Sequence, residues 1–140
     1  MSIYKPFQHQ HLTEIRRTLT ALQPNLPSID FIPYRGNFAR GIFCTAVIKN
    51  PALDSTIIDA YKQFYAASPF THVCDQPIDL KQVTGTNKCL LHIDVFEGKI
   101  LVTSVIDNLL KGAVGQAVEN MNLMFQLPED TGLRLKATAF

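Results

Sequence analysis

Apolar and polar residues alternate most regularly in two segments, Cys89–Phe96 and Lys99–Ile106, joined by Glu97-Gly98. In the first segment the apolar and polar residues take opposite faces: Leu91, Ile93 and Val95 against His92 and Asp94. Successive side chains of a strand point to opposite faces of the sheet, so this alternation predicts two strands. The two-residue connection predicts that they form an antiparallel hairpin with one wetter face.

Three other segments carry apolar residues at the spacing of an amphipathic helix. The predicted caps are Thr13 for the first helix and Asp54 or Ser55 for the second, and the third helix spans about Asn108 to Phe125. The apolar stripes are Ile15, Leu19 and Leu22; Ile57, Tyr61 and Phe64; and Leu110, Val114, Ala117, Met121 and Met124. Stripes of this kind normally face a core.

The almost unbroken apolar run Gly41–Lys49 predicts a central strand covered on both faces and stopped by Pro51. Shorter strands are predicted at Ser28–Pro33 and Phe70–Cys74. Together these elements predict a single α+β domain over residues 1–140, with an antiparallel or mixed sheet and helices packed on one face.

Composition excludes several classes of protein. The net charge is only +1, and no basic cluster exceeds the pair Arg16-Arg17, which argues against a nucleic-acid partner. No apolar run approaches the ~20 residues of a membrane span. Three cysteines without CxxC spacing predict reduced, buried thiols in a cytoplasmic protein and no structural zinc.

Two histidines precede the first helix, His9 and His11, with Glu14 near enough to orient one of them. In an extended segment, residues two apart point to the same side, so both imidazoles can face one point. Three interpretations remain open: surface histidines, a general acid or base, and a metal site. No other residue completes a ligand set convincingly, so we predict no metal.

Gly112 and Gly115 lie near the start of the third helix, where each costs about 1 kcal/mol relative to alanine. A helix start without side chains suits a phosphate, a cofactor or another helix, and tight packing is the alternative. Two further segments are candidate functional sites. Gly85–Cys89 is a polar turn that enters a strand, and Arg40 could cap the surface or bind an acyl phosphate or carboxylate.

These segments, in this order, resemble the N-acetyl-gamma-glutamyl-phosphate reductase family. Its His-Arg-His-x-Pro-Glu-Ile, Arg-Gly-Ile and Gly-Ser-Asn-x-Cys motifs are similar to residues 9–15, 40–42 and 85–89. The longest match is SVIDNLLKGAVGQAVENMNLM from Ser104, followed by LPEDTGL from Leu127. The sequence departs from the family pattern at Gln10, Thr13 and Tyr34.

The resemblance implies a fold like the C-terminal domain of glyceraldehyde-3-phosphate dehydrogenase-like enzymes. It also implies a larger two-domain oxidoreductase of arginine biosynthesis that reduces N-acetyl-gamma-glutamyl phosphate with NADPH through a cysteine thioester. The Rossmann domain and the nucleophilic cysteine of such an enzyme are absent from this sequence, so this chain alone should be inactive. Expected partners are that Rossmann domain and further copies in a homo-oligomer. A stand-alone metabolite-binding or dimerisation module is the alternative.

The resemblance also implies roles for individual residues. His11 would be the acid/base, with His9 as second choice and Glu14 beside them, while Arg40 and Asn87 would bind substrate. The residues expected near the nicotinamide of NADP are Asn108, Lys111, Gly112, Gly115 and Gln116. We therefore expect Gly115→Val to weaken NADPH binding and to leave the domain folded.

Overall fold

The computed structural model describes residues 1–49 and 56–137, which form two compact units, Met1–Ala39 and Arg40–Phe140. Pro51 and the two predicted cap residues Asp54 and Ser55 lie outside the described residues.

In the first unit, helix α1 spans Gln10–Leu22 and buries Leu12. The helix begins before the predicted cap Thr13, because Nδ1 of His9 accepts a hydrogen bond from the backbone N–H of His11 (3.2 Å) and caps it. Strand β1 (Ser2–Ile3) pairs antiparallel with β2 (Tyr34–Arg35). The predicted strand at Ser28–Pro33 is wrong, since the ladder starts only at Tyr34.

The second unit contains a four-stranded mixed sheet in the order β3-β6-β5-β4. The strands are β3 (Ile42–Lys49), β4 (Thr71–Val73), β5 (Cys89–Phe96) and β6 (Lys99–Ile106). Only the β4–β5 pair is parallel. The predicted α+β fold and the predicted hairpin bounds are both confirmed. Glu97 and Gly98 have φ values of 46° and 68°, as a two-residue turn of type I′ requires.

Both faces of the β5–β6 hairpin are covered. Helix α2 (Thr56–Tyr65) packs on one face, where the core is Leu91, Ile93 and Ile100 with Ile57, Ile58, Tyr61 and Tyr65 against it. On the other face Ile78 and Val83 pack against Leu90 and Val105. A 3₁₀ turn, Leu80–Gln82, lies within this second cover, and Leu80 packs against its core. The hairpin is therefore the centre of the sheet.

Strand β3 does not have the predicted central position. It is an edge strand, and all eight of its residues are exposed within the described structure. Val47 retains 64% of its accessible surface. A strand that is apolar on both faces indicates that other residues pack on both faces. The pattern does not indicate that those residues belong to the same chain.

The third helix begins with a π-helical turn, Leu110–Val114, and continues as α3 (Gly115–Met124). Its predicted apolar stripe was assigned to the wrong side, because Val114, Met121 and Met124 are exposed. The buried residues of α3 are Gly115, Glu119 and Asn122. The two polar ones are hydrogen-bonded or ion-paired inside the unit, and such pairing makes their burial tolerable.

Candidate functional site

The centre of the second unit's polar network is Asp107, which follows β6 and has a fully buried side chain. Nη2 of Arg40 donates to both carboxylate oxygens, at 2.8 and 2.9 Å. Backbone N–H groups of Gly85, Leu109 and Leu110 donate to the same carboxylate at 2.8, 2.9 and 3.0 Å. Asp107 therefore joins the start of β3, the polar turn before β5 and the π-helical turn.

The charge of Asp107 is retained despite its burial. Burial alone would raise the pKa of the carboxyl group. The hydrogen bonds from Arg40 and from the three backbone N–H groups outweigh this effect and hold the pKa below its ordinary value. Sequence reasoning assigned Asp107 no role. The available signal was an acidic residue at a strand-to-helix junction, where it can accept from free N–H groups of the helix start.

Arg40 presents a partly open guanidinium group. Its side chain is 34% exposed, and only Nη2 contacts Asp107. Nε is buried without a hydrogen-bond partner among the described residues. The next residue, Gly41, has a φ of 112° and donates its N–H to Oδ1 of Asn108 at 2.6 Å. Hydrogen bonds therefore hold both the side chain of Arg40 and the backbone of the next residue.

Asn87 does not suit its predicted role as a substrate contact. It is 1% exposed, and its Nδ2 donates to the carbonyl of Leu133 at 2.9 Å. Its Oδ1 lies against Gly115, where an added Cβ would be 1.8 Å from that oxygen. Asn87 therefore supports the fold, and Gly115 makes room for Asn87. With this geometry Gly115→Val is expected to destabilise the domain, in contrast to the expectation from the sequence.

Lys111 is also engaged inside the unit. Its Nζ donates to both carboxylate oxygens of Glu119, at 2.8 and 2.5 Å, and both side chains are largely buried. This pairing leaves Lys111 unsuited to its predicted cofactor contact.

Burial raises the pKa of Glu129, and a hydrogen bond with Glu119 and the repulsion between the two carboxyl groups raise it further.

The segment that follows α3 is held by a second buried amide, which the sequence analysis missed. Nδ2 of Asn122 donates to the carbonyls of Glu129 and Thr131, both at 3.0 Å. The backbone N–H of Leu127 in turn donates to the carbonyl of Asn122 at 2.8 Å. Asn122 therefore holds the LPEDTGL segment against the end of α3.

The remaining predicted cofactor residues are more accessible. Gly112 is exposed, and a Cβ added there would lie 3.3 Å from Cδ1 of Ile106. Gln116 is exposed on α3 and donates to Oδ1 of Asn120 at 3.3 Å. Asn108 is half-buried, and its Oδ1 is already bonded to Gly41. These three residues are available near the helix start.

The predicted acid/base residues all belong to the first unit. The imidazole rings of His9 and His11 lie 4.5 Å apart between centroids, edge to face. His9 also contacts the rings of Tyr4 and Phe31, whereas His11 is exposed at the start of α1. The structure therefore brings the two histidines together, although in a helix start and not in an extended segment. Glu14 makes neither a hydrogen bond nor an ion pair within the described residues.

None of the three cysteines has an activated environment. Partial removal of the sulfur atoms from solvent raises the pKa of the Cys44, Cys74 and Cys89 thiols. Cys44 lies exposed on β3, which contradicts the predicted burial, and the other two are half-buried. Within residues 1–49 and 56–137, no three His, Cys, Asp or Glu side chains are grouped to hold a metal ion. None of the helices described is long and apolar enough to cross a membrane.

Residues 1–108 match the family described as "Semialdehyde dehydrogenase, dimerisation domain". The chain belongs to this family. The match confirms the predicted likeness to the C-terminal domain of glyceraldehyde-3-phosphate dehydrogenase-like enzymes. The family description also agrees with the expected homo-oligomer.

Curated relatives of this dimerisation domain share about half of its residues. A protein of Bacteroides fragilis is 55% identical over 141 residues, and one of Phocaeicola vulgatus is 57% identical over 141 residues. Each alignment covers 100% of this chain and 44% of the relative. A protein of Christiangramia forsetii is 54% identical over 140 residues, which are 99% of this chain and 44% of the relative.

All three relatives are named N-acetyl-gamma-glutamyl-phosphate reductase, so the resemblance found from the motifs is confirmed. The chain spans less than half the length of these relatives.

Proposed function

We propose that this chain is the substrate-binding and dimerisation part of an NADP-dependent N-acetyl-gamma-glutamyl-phosphate reductase of arginine biosynthesis in the cytoplasm. The names of the relatives support the reaction, and Arg40 is the observation that supports a substrate site. The substrate carries an acyl phosphate and a carboxylate, and a guanidinium group binds either of these through paired N–H groups. We assign Arg40 to one of these two anionic groups.

His11 is the preferred general acid/base. Reduction of an acyl group to an aldehyde requires a proton donor for the oxygen, and histidine is the usual residue for this task. Nδ1 of His9 is occupied by the helix cap, whereas the ring of His11 is exposed and accepts no hydrogen bond in the unit. His9 is the second choice. Glu14 lies one turn after His11 on the same face of α1, where it can orient the imidazole.

Asn108, Gly112 and Gln116 would meet the nicotinamide end of NADP. They fit a cofactor contact because Nδ2 of Asn108 has no partner in the described residues, while Gly112 and Gln116 are exposed. When bound there, NADPH would supply the hydride, and a cysteine that is not among this chain's residues would form the thioester. This chain would orient the substrate and provide the residue that donates or accepts the proton.

Two exposed apolar surfaces support the proposed partners. One is β3, with Ile42, Phe43, Val47 and Ile48 exposed, which we assign to a second copy of the chain. The other consists of Val114, Met121 and Met124, which lie on the same helix as Gly112 and Gln116. We assign this second surface to the Rossmann domain of the same protein. The net charge of +1 favours neither a nucleic acid nor a membrane surface.

Substitution of the histidines in the full-length reductase tests the catalytic assignment. We expect His11→Ala to lower kcat by about a hundredfold or more, the usual contribution of a general acid or base. His9→Ala should lower kcat less. Because His9 also caps α1, His9→Asn is the matched control, since asparagine preserves a cap acceptor. The assignment fails if His9→Asn is the more damaging change at equal thermal stability.

A further inference from the structure

We propose that Asp107 is the positioning residue for Arg40, holding Nη2 of the guanidinium group so that Nη1 stays free for an anionic group of the substrate. This inference rests on the proposed function, which assigns Arg40 to the substrate. Asp107 itself is fully buried and would not touch the substrate.

The geometry of the pair leaves donors free. An arginine and a carboxylate commonly pair through two nitrogens and two oxygens. Here both oxygens of Asp107 accept from Nη2 alone, and Nη1 has no partner among the described residues. Because Nε is buried, the accessible donors of Arg40 are at the end of the guanidinium group. A carboxylate or phosphate oxygen can bind there without displacing Asp107.

The position of Asp107 is strongly determined by its other contacts. Three backbone N–H groups donate to it from two segments, the turn at Gly85 and the helix start at Leu109 and Leu110. These donors also share the negative charge of the carboxylate. Asp107 therefore neutralises Arg40 less than an isolated carboxylate would, and Arg40 keeps an attraction for a substrate anion.

The position of Arg40 is also determined from its backbone. Gly41 donates its N–H to Oδ1 of Asn108, the residue after Asp107. The pair Asp107-Asn108 therefore holds the pair Arg40-Gly41 through hydrogen bonds. A Cβ at Gly41 would be 2.4 Å from Cδ1 of Leu80, and its φ of 112° disfavours other residues. Arg40 is therefore pre-organised, which lowers the entropy cost of binding a ligand.

A double-mutant cycle in the full-length reductase tests this role. The four proteins are wild type, Arg40→Gln, Asp107→Asn and the double variant, and the measurements are kcat, the two KM values and the thermal midpoint. We expect Asp107→Asn to raise KM for N-acetyl-gamma-glutamyl phosphate at least about tenfold and KM for NADPH less than about twofold. In the Arg40→Gln background, Asp107→Asn should raise the substrate KM no further.

Two outcomes separate the possible failures. If Arg40→Gln leaves the substrate KM unchanged, Arg40 does not bind substrate and the proposed function loses its substrate site. If Arg40→Gln raises the KM while Asp107→Asn lowers only the thermal midpoint, Asp107 is a structural residue and the positioning role is wrong.

Arg40→Lys keeps the inference testable if Asp107→Asn does not fold. Lysine preserves the ion pair with Asp107 but offers a point charge without the planar set of donors. We expect a thermal midpoint near that of wild type and a substrate KM raised about as much as in Arg40→Gln. A wild-type KM in Arg40→Lys would overturn the proposal, because a held guanidinium group would then be unnecessary.

Discussion

Replacement of Gly115 by alanine should destabilise the second unit, although alanine is the better helix former by about 1 kcal/mol. The added Cβ would lie 1.8 Å from Oδ1 of Asn87, 2.8 Å from its Cγ and 2.7 Å from the carbonyl oxygen of Leu110. Carbon and oxygen atoms that are not bonded cannot stay this close. Either Asn87 or the π-helical turn has to move.

The size of the effect follows from what Asn87 holds. Its displacement breaks the hydrogen bond to the carbonyl of Leu133 at a position that is almost completely buried. Unpaired buried polar groups cost about 1–3 kcal/mol, and the overpacking costs about 1–3 kcal/mol more. After the gain in helix propensity, we expect a net loss of about 3 kcal/mol. At about 4 °C per kcal/mol for a domain of this size, the thermal midpoint should fall by about 12 °C.

Thermal and urea unfolding, followed by circular dichroism, measure this loss. Gly112→Ala is the matched control, because its Cβ would meet only Cδ1 of Ile106 at 3.3 Å and the carbonyl oxygen of Asp107 at 3.4 Å. We expect a change within about 1 kcal/mol there. In an Asn87→Ala background, Gly115→Ala should cost clearly less than in the wild type. Equal midpoints for Gly112→Ala and Gly115→Ala would refute the packing role of Gly115.

Two further predictions concern pH and assembly. The raised pKa of Glu129 means that the fold prefers its protonated form, so this contribution to stability is present at acid pH and is lost as the pH rises through the raised pKa. Between about pH 5 and pH 8, Glu129→Gln should therefore raise the thermal midpoint most at the alkaline end, and a Glu97→Gln control, in the hairpin turn, should not. The chain should also self-associate at tens of micromolar through β3, and Val47→Lys should shift sedimentation towards the monomer without changing the circular dichroism spectrum. Identical sedimentation of Val47→Lys and wild type would exclude this face of β3 as the interface.

Elements with a local signal in the sequence could be predicted without the structure. The bounds of β5 and β6 were predicted correctly because strict alternation and a two-residue turn both act within a few residues. Sequence motifs likewise identified the family and the segment around Arg40 and Asp107. These predictions required no knowledge of which parts of the chain meet.

The local signal was insufficient to predict where α1 begins and where β3 lies in the sheet. Thr13 is an ordinary helix cap by residue type, but the ring nitrogen of His9 caps α1 one turn earlier. Similarly, the composition of β3 indicates burial on both faces, but the order of strands places it at an edge. Neither the helix start nor the strand order follows from periodicity, because both depend on contacts with other segments.

The polar interior could not be predicted without the three-dimensional arrangement of the chain. Arg40 and Asp107 are 67 residues apart in sequence, and Asn87 is 46 residues from its partner Leu133. Periodicity predicted an apolar buried face for α3, yet Glu119 and Asn122 are buried because Lys111 and the following loop satisfy them. A hydrogen bond between distant residues leaves no periodic trace in the sequence. It also reverses the cost of burying a polar group, so the face that is buried can be known only once both partners are in place.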